Sequence, residues 1–508
     1  MVRKIFMMLL LFGLPFSTPW KEEDNEASKK QKNVIFMVMD GTNADVITLA
    51  RHYKGEPLAL DSILTGGVQT YSYQSAITDS AAAASAMATG HKTLKDYIGM
   101  VPYQDTDGKI RGRPVATIME AAKAKGLATG IVATSPVQHA TPAAFSSHTM
   151  SRDNMHEIGQ QQAHQNIDIL LGGGKKYAFV NENRDIRMVQ TKSELQKAKE
   201  NELYGFFAEE DMAYDLDRPT LNPEQPSLVD MTKKALGALS NHPKGFFLFI
   251  EGSKVDYAAH KNDPVGMISE VLAFDAAVKE ALAFAKKHRN TLLIAVADHG
   301  NSGLTMGNEQ TDETYAETPA EKFVAPLKKA SLTVTGAVSQ LKHDRSNLEE
   351  VLHLYGLDNL SQSNIKKIKE SKDIEKELVT LMAERAHLGF TTRGHSGEDV
   401  FLYAYGPKKP TGLINNTDLP AKVVGHLELG PLSEFTKKSF IPAQQYYENK
   451  GYETRSERKA NSGDVFIARK GTTVVEYPAN QNKRKINGRE EKLPGIVVFN
   501  GHTFWIPK

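Results

Sequence analysis

The 508-residue chain has no cysteine. Disulfides, thiolate nucleophiles and cysteine-based zinc sites are thereby excluded, and any metal site must use His, Asp, Glu and hydroxyl groups. Neither charge sign is in excess. The formal net charge is +1, so no nucleic-acid-specific binding is expected of the whole molecule, and any basic surface must be local. No segment beyond the N-terminus is apolar and long enough to cross a membrane. The apolar run Ile5 to Phe16, after Arg3 and Lys4, is short for a span and suits an export signal. Residues 1–20 are expected to be a signal peptide without a clean cleavage motif, or else an uncleaved anchor. Residues 21–32 read as a polar linker. The expected location is therefore outside the cytoplasm: secreted, periplasmic or envelope-associated.

Hydrophobic residues make up 40% of the chain, enough for a large core and more than one domain. Continuous apolar runs at 33–39, 128–133, 245–250, 291–297 and 399–405 read as buried strands. Helical patterns at 80–89, 113–125, 226–239 and 265–287 alternate with them. This predicts an α/β fold with a doubly wound, mostly parallel central sheet flanked by helices, over residues 33–430. A polar, helix-rich insertion is expected at about 301–390, clearest from Ser361 to Arg385. Residues 171–226 look loop-rich, and Gly172-Gly173-Gly174 reads as a flexible turn because no P-loop Lys-Ser/Thr follows. Residues 437–508 carry short β-type runs and read as a separate small β-rich domain, locally basic through Arg455, Arg458, Lys459, Arg469, Lys470, Lys483, Arg484 and Lys485.

In parallel sheets ligands sit beyond the carboxyl ends of the strands. Here those ends carry Asp40, Glu251 and Asp298-His299. Asp256 and His260 share a face if their segment is helical, as a chelating pair needs. His395 lies between glycines just before a strand, and Ser80 opens an Ala-rich helix whose N-terminus favours an oxyanion. Three histidines and several carboxylates near one serine can hold two zinc ions, and paired metals suit in-line phosphoryl transfer.

The motifs M-V-M-D-G-T, T-D-S-A-A-A-A-S-A-M-A-T-G, H-A-T-P-A-A-F, I-E-G-S-K-V-D-Y-A-A-H, V-A-D-H and G-H-S-G occur in this order. Over residues 33 to about 425 the chain resembles an alkaline phosphatase. The resemblance implies hydrolysis of small phosphate monoesters through a phosphoserine at Ser80, with two Zn2+ and one Mg2+. It implies Asp256, His260 and His395 as ligands of the first zinc, and Asp40, Asp298 and His299 as ligands of the second. Asp40, Thr141 and Glu251 would serve the magnesium site, and Arg152 would clamp phosphate. It also implies a homodimer. His139 and Tyr257 stand where the best-known bacterial version has Asp and Lys, and are expected at the substrate side of the site. If residues 139–141 are extended, the His139 ring reaches the third site, and imidazole there favours zinc over magnesium; the alternative is that His139 only hydrogen-bonds a neighbour.

The C-terminal segment resembles the copper amine oxidase N-terminal-like module, through Ser-Phe-Ile-Pro at 439–442 and Asn-Gly-His-Thr-Phe-Trp-Ile-Pro at 500–507. A basic face there could bind an anionic cell-envelope polymer, or the module could add only stability or spacing. A sulfatase is excluded because Ser80 is followed by Ala-Ala-Ala rather than x-P-x-R. The alternatives kept open are a phosphodiesterase of the same fold and a non-catalytic envelope-binding protein.

Overall fold

The run Asn33–Met39 folds as strand β1, and its two faces feed different cores. Ile35, Met37 and Met39 enter one apolar cluster, and Val34, Phe36 and Val38 the other. A strand covered on both faces is apolar at every position, which explains why the run shows no alternation. The computed structural model describes residues 31–181, 184–460 and 463–508. The expected signal peptide at 1–20, and all of the expected linker but residues 31 and 32, lie outside the described residues.

Ten strands form the central sheet. After β1 these are β2 (Leu64–Gln69), β3 (Ala128–Pro136), β4 (Ile169–Gly173), β5 (Arg187–Val189), β6 (Leu203–Phe206), β7 (Phe246–Gly252), β8 (Thr291–Val296), β9 (Val400–Tyr405) and β10 (Gly412–Asn415). Their spatial order is β10-β2-β9-β8-β1-β7-β3-β4-β6-β5. Only β9 runs antiparallel to its neighbours. The helices that bear on the site are α1 (Ala44–Lys54), α2 (Ser80–Thr89), α3 (Ile118–Ala124), α4 (Ala140–Ser146), α5 (Met155–His164), α6 (Leu228–Leu239), α7 (Lys254–Lys261) and α8 (Pro264–Lys287). Residues of α1, α6 and α8 fill one core, and residues of α2 and α3 the other. The structure is thus the doubly wound, mostly parallel α/β fold that the alternation predicts. No helix among the described residues is long and apolar enough to cross a membrane.

Four local expectations are corrected. The helix expected at 113–125 begins only at Ile118. Arg113 and Pro114 instead end a hairpin, Met100–Gln104 with Ile110–Pro114, and Thr117 and Glu120 form a capping box that starts the helix. Residues 171–226 hold two sheet strands, β5 and β6. Gly172-Gly173-Gly174 is not a flexible turn. Gly172 and Gly173 end β4, where a Cβ would meet the carbonyl oxygens of Ala133 at 2.7 Å and Glu210 at 2.1 Å; glycine is needed for close backbone approach. The insertion is helical, but 361–385 is two helices, Gln362–Glu370 and Ile374–Arg385, the second capped by Asp373.

The C-terminal segment forms a five-stranded antiparallel sheet over 453–492 and a three-stranded one closed by Phe504–Ile506. It is not detached. Phe440, Ile496 and Val498 share an apolar cluster with Met100 and Ala116 of the catalytic body, with Trp505 packed against it. Asn500 Nδ2 donates to the Gly112 carbonyl at 2.7 Å, and Gln161 Nε2 donates to Asn480 Oδ1 at 2.9 Å. Removal of residues beyond Thr436 uncovers that cluster, so the truncated chain is expected to melt at lower temperature than the full chain; equal melting points would show the module to be independent. The expected basic face is largely neutralised. Arg455, Arg458, Lys459, Lys483 and Arg484 each pair with an acid of the same module.

Beneath this junction His148 is wholly buried. Its Nδ1 faces the Gly99 carbonyl at 2.8 Å and its Nε2 faces Glu120 Oε1 at 2.9 Å. The carbonyl only accepts, and so does Glu120 when ionised; with Glu120 ionised both ring nitrogens donate and the ring is an imidazolium. Burial alone would lower the His148 pKa, but the Glu120 charge and hydrogen bond outweigh it and raise the value. Burial alone would raise Glu120, but His148 outweighs it and lowers the value. The His148 contribution to stability is full below 6.5 and is lost as pH rises through its raised folded value. The Glu120 contribution is full above 4.5 and is lost as pH falls through its lowered value. Urea midpoints of wild type and His148→Gln should therefore differ most between pH 4.5 and 6.5 and converge as pH rises above 6.5. Parallel pH curves would show that the pair is not ionised.

Candidate metal and phosphoryl-transfer site

β1 pairs in parallel with β7 on one side and β8 on the other. Val38 is in register with both Glu251 and Val296. Asp40, Glu251 and Asp298-His299 therefore leave three adjacent strands at the same sheet edge. Gly41 makes room for Asp256 beside them. Its φ is +65°, and a Cβ there would come within 2.4 Å of Asp256 Oδ1. Gly300 does the same next to Glu398, whose carboxylate lies 2.1 Å from the position of a Cβ.

Ser80 is the first residue of α2, and Asp79 is its N-cap. The Asp79 carboxylate accepts from the backbone N–H groups of Ala82 and Asp96. All ten residues of α2 are buried, and Ala81 packs against Ala140 and Ala143 of α4. The alanines are small so that the helix can pack closely while Ser80 faces the cleft. Ser80 Oγ lies 3.1 Å from His299 Nε2.

The three site histidines are oriented alike. His260 Nδ1 faces the Arg393 carbonyl at 2.7 Å, His395 Nδ1 the Thr78 carbonyl at 2.8 Å, and His299 Nδ1 the Gly300 carbonyl at 3.1 Å. A carbonyl only accepts, so each Nδ1 carries the proton and each Nε2 is left as a ligand atom. Those Nε2 atoms point at carboxylates. His260 is 3.4 Å from Asp256 Oδ2, one helical turn away on α7 as the i,i+4 spacing predicts. His395 is 3.7 Å from Asp256 Oδ1. His299 is 3.5 Å from Asp40 Oδ1 and 3.2 Å from Asp298 Oδ2.

Two ligand groups result, Asp40-Asp298-His299 and Asp256-His299-His395. The second differs from expectation in detail: His299 stacks on His395 at 3.7 Å between ring centroids and sits nearer that group than His260 does. Both oxygens of Asp40, Asp298 Oδ2, Glu251 Oε1 and Thr141 Oγ1 are buried without a hydrogen-bond partner. Burial and the charges of Asp298, Asp256 and Glu251 hold the Asp40 carboxyl well above its usual range. Burial pushes Glu251 up to about 8, with Asp298 adding to the shift. Asp256 goes the other way when the rings are also protonated at Nε2: burial would raise it, but the His260 hydrogen bond and the His299, His260 and His395 charges lower it. So many unpaired buried oxygens are costly alone and fit bound cations. The mixed N/O groups suit zinc, and the all-oxygen set Asp40, Thr141 and Glu251 suits magnesium.

The segment 139–141 is not extended. His139 is the N-cap of α4 and Thr141 lies in its first turn, beside Glu251. The His139 Nε2 accepts from Arg152 Nη2 at 3.1 Å, so this ring serves the arginine; its Nδ1 is buried without a partner. Burial and the Arg152 charge push its pKa down to about 3, which keeps the ring neutral and able to accept. Arg152 Nη1 is 3.5 Å from Asp79 Oδ2. The Tyr257 ring stands edge-on to His139 at 5.8 Å. Ser80, His139, Arg152, Asp256, Tyr257, His260 and His395 line one cleft.

The sequence reading missed several supporting residues. Asn301 Nδ2 donates to Asp256 Oδ1 at 2.6 Å, and Ser135 and Ser253 bond each other beneath Glu251. Asp79, which caps α2 and pairs with Arg152, is a further one. Nothing in the sequence says that Asn301 folds back to Asp256, because that contact depends on how α7 packs on the sheet edge.

A family model described as Alkaline phosphatase matches residues 31–188 and 181–429. Alkaline phosphatase 4 of Bacillus subtilis (strain 168) is 36% identical over 450 residues, covering 81% of this chain and 93% of the relative. Among solved structures, the cold-active alkaline phosphatase of the psychrophile Shewanella sp. superposes with a TM-score of 0.69 at 28% identity, over 78% of this chain and 99% of that one. A variant of TAB5 alkaline phosphatase with Mg bound in its M3 site superposes with a TM-score of 0.56 at 24% identity, over 78% and 98%.

Proposed function

The chain belongs to the alkaline phosphatase family, and on that premise we propose that it hydrolyses phosphate monoesters through a phosphoserine at Ser80, with two zinc ions and one magnesium ion. The observation that carries this reading is Ser80 Oγ, 3.1 Å from His299 Nε2, at a helix N-terminus beside two overlapping groups of N and O ligands. Asp256, His260 and His395 would hold one zinc, and Asp40, Asp298 and His299 the other. Asp40, Thr141 and Glu251 would hold the magnesium; a TAB5 variant of the same fold carries Mg in its M3 site. When bound, the ions supply acidification of the attacking hydroxyl and water, and charge to offset the leaving oxygen.

The chain's own groups do the rest. Arg152, fixed by His139 and Asp79, offers a planar fork to two non-bridging phosphoryl oxygens. Asp79 takes the Ala82 N–H, and the N–H groups of Ser80 and Ala81 before it favour the same negative charge. Ser80 Oγ attacks phosphorus, the P–O bond to the alcohol breaks, and the alcohol leaves protonated. Water then attacks the phosphoserine, which restores the Ser80 hydroxyl and releases phosphate. Labelled phosphate trapped at acid pH should map to Ser80, and a monoester should turn over faster than a matched diester. Label elsewhere would sink the covalent route, and a faster diester would favour a phosphodiesterase. The N-terminal run supports export, testable by cell fractionation.

Arg152→Ala should raise the phosphate inhibition constant by about 30- to 150-fold, the loss of a charge-assisted bidentate contact worth about 2–3 kcal/mol. Thermal stability should fall less than phosphate affinity, since folding gives up one hydrogen bond to His139 and a long ion pair with Asp79. An unchanged inhibition constant would make it an ordinary surface arginine.

A further inference from the structure

One cation of the cleft has no assigned partner. Lys254 opens α7 and is 5% exposed. Its ammonium lies 4.2 Å from the Tyr214 ring centroid and 4.9 Å from that of Tyr257, and the residue lines the cleft with Ser80 and Arg152. An ammonium has three donors, yet among the described residues none accepts a hydrogen bond from it and no carboxylate forms an ion pair with it.

The neighbouring acids are Asp211, Glu270 and Asp217, and each is committed elsewhere. Asp211 takes the Tyr257 hydroxyl. Glu270 accepts from the Asp215 N–H at 2.6 Å. Asp217 accepts from Thr333 N–H and Oγ1 at 2.7 and 2.6 Å. The other two cations of the cleft are also occupied. Arg152 is held by His139 and Asp79 toward the phosphoryl position, and Lys261 donates to both oxygens of Glu375 and to Thr335.

A lysine stem this deeply buried, with its tip between two aromatic faces and its donors unspent, is organised to receive an anion. We propose that Lys254 determines specificity on the leaving-group side of the site, by receiving a second anionic group carried on the alcohol of the substrate. The substrates favoured are monoesters whose alcohol bears a carboxylate or a further phosphate. The proposal rests on the phosphatase reading above.

The test compares kcat/KM for alkyl phosphates of two to four carbons with ω-carboxyalkyl phosphates and α,ω-bisphosphates of the same lengths. The wild type should prefer at least one anionic series by about tenfold or more, the worth of one charge-assisted hydrogen bond. Lys254→Met should collapse that ratio to about one, and Lys254→Arg should keep most of it. A wild type with no preference overturns the proposal whether or not the variants fold. A preference that survives Lys254→Met overturns it too. No turnover of any of the three series would overturn the phosphatase reading, and the subsite with it. Preference for the carboxylates alone, or for the bisphosphates alone, supports the site and identifies the anion.

Discussion

Ser80→Ala is expected to lower turnover by on the order of 10^3- to 10^6-fold, as removal of a covalent nucleophile does, while the protein stays folded and keeps its metal ions. The hydroxyl makes one hydrogen bond, to His299 Nε2. Loss of such a bond costs about 1 kcal/mol. Against that, Ala is the better helix former, and position 80 is already followed by four alanines. The cap is unaffected because Asp79, not Ser80, accepts from Ala82. Chemistry and stability are therefore separable at this residue, which is rare for a side chain only 2% exposed. The measurement is turnover of a chromogenic monoester together with metal content and melting temperature. A variant that keeps more than about a tenth of wild-type turnover would rule out Ser80 as the nucleophile.

The strand ends were legible because their physics is local. A strand buried on both faces has to be apolar throughout, so a sudden Asp40, Glu251 or Asp298-His299 at its end stands out against Val, Ile and Phe. Asp256 and His260 were legible for the same reason, as an i,i+4 pair on a short helix. What escaped depends on other parts of the chain. Arg113 and Pro114 continue an apparently helical pattern, but the hairpin with Met100–Gln104 claims them, and Pro114 cannot donate within a helix. The glycines at 172–174 look like a flexible turn until the Ala133 and Glu210 carbonyls are placed against Gly172 and Gly173. The basic residues of the C-terminal module look like a face until cross-strand acids are set opposite. For His139 the sequence leaves open a place at the third metal site or a hydrogen bond to a neighbour, and the structure shows the hydrogen bond. The role of His139 as an acceptor depends on Arg152, thirteen residues on, being folded back beside it.

Strong chelation should abolish activity, and zinc plus magnesium should restore it. Asp40 and Glu251 are wholly buried and their carboxyls resist ionisation, Asp40 through burial and three neighbouring acids, Glu251 through burial up to about 8. A cation needs the ionised oxygens, so filling the site must expel protons that the metal-free protein holds. In weakly buffered solution at about pH 7, adding zinc and magnesium to metal-free protein should release protons, and the release should shrink as pH rises past about 8, where Glu251 is already ionised. Binding to the folded state alone should also raise the melting temperature with metal concentration. Glu251→Gln should reduce the proton release and weaken magnesium affinity, since it removes an ionisable ligand without changing shape. Full activity in protein shown by elemental analysis to be free of metal would refute the assignment of these residues as ligands. Metal binding with no proton release at any pH between about 6 and 9 would show that the buried carboxylates are ionised before the ions arrive.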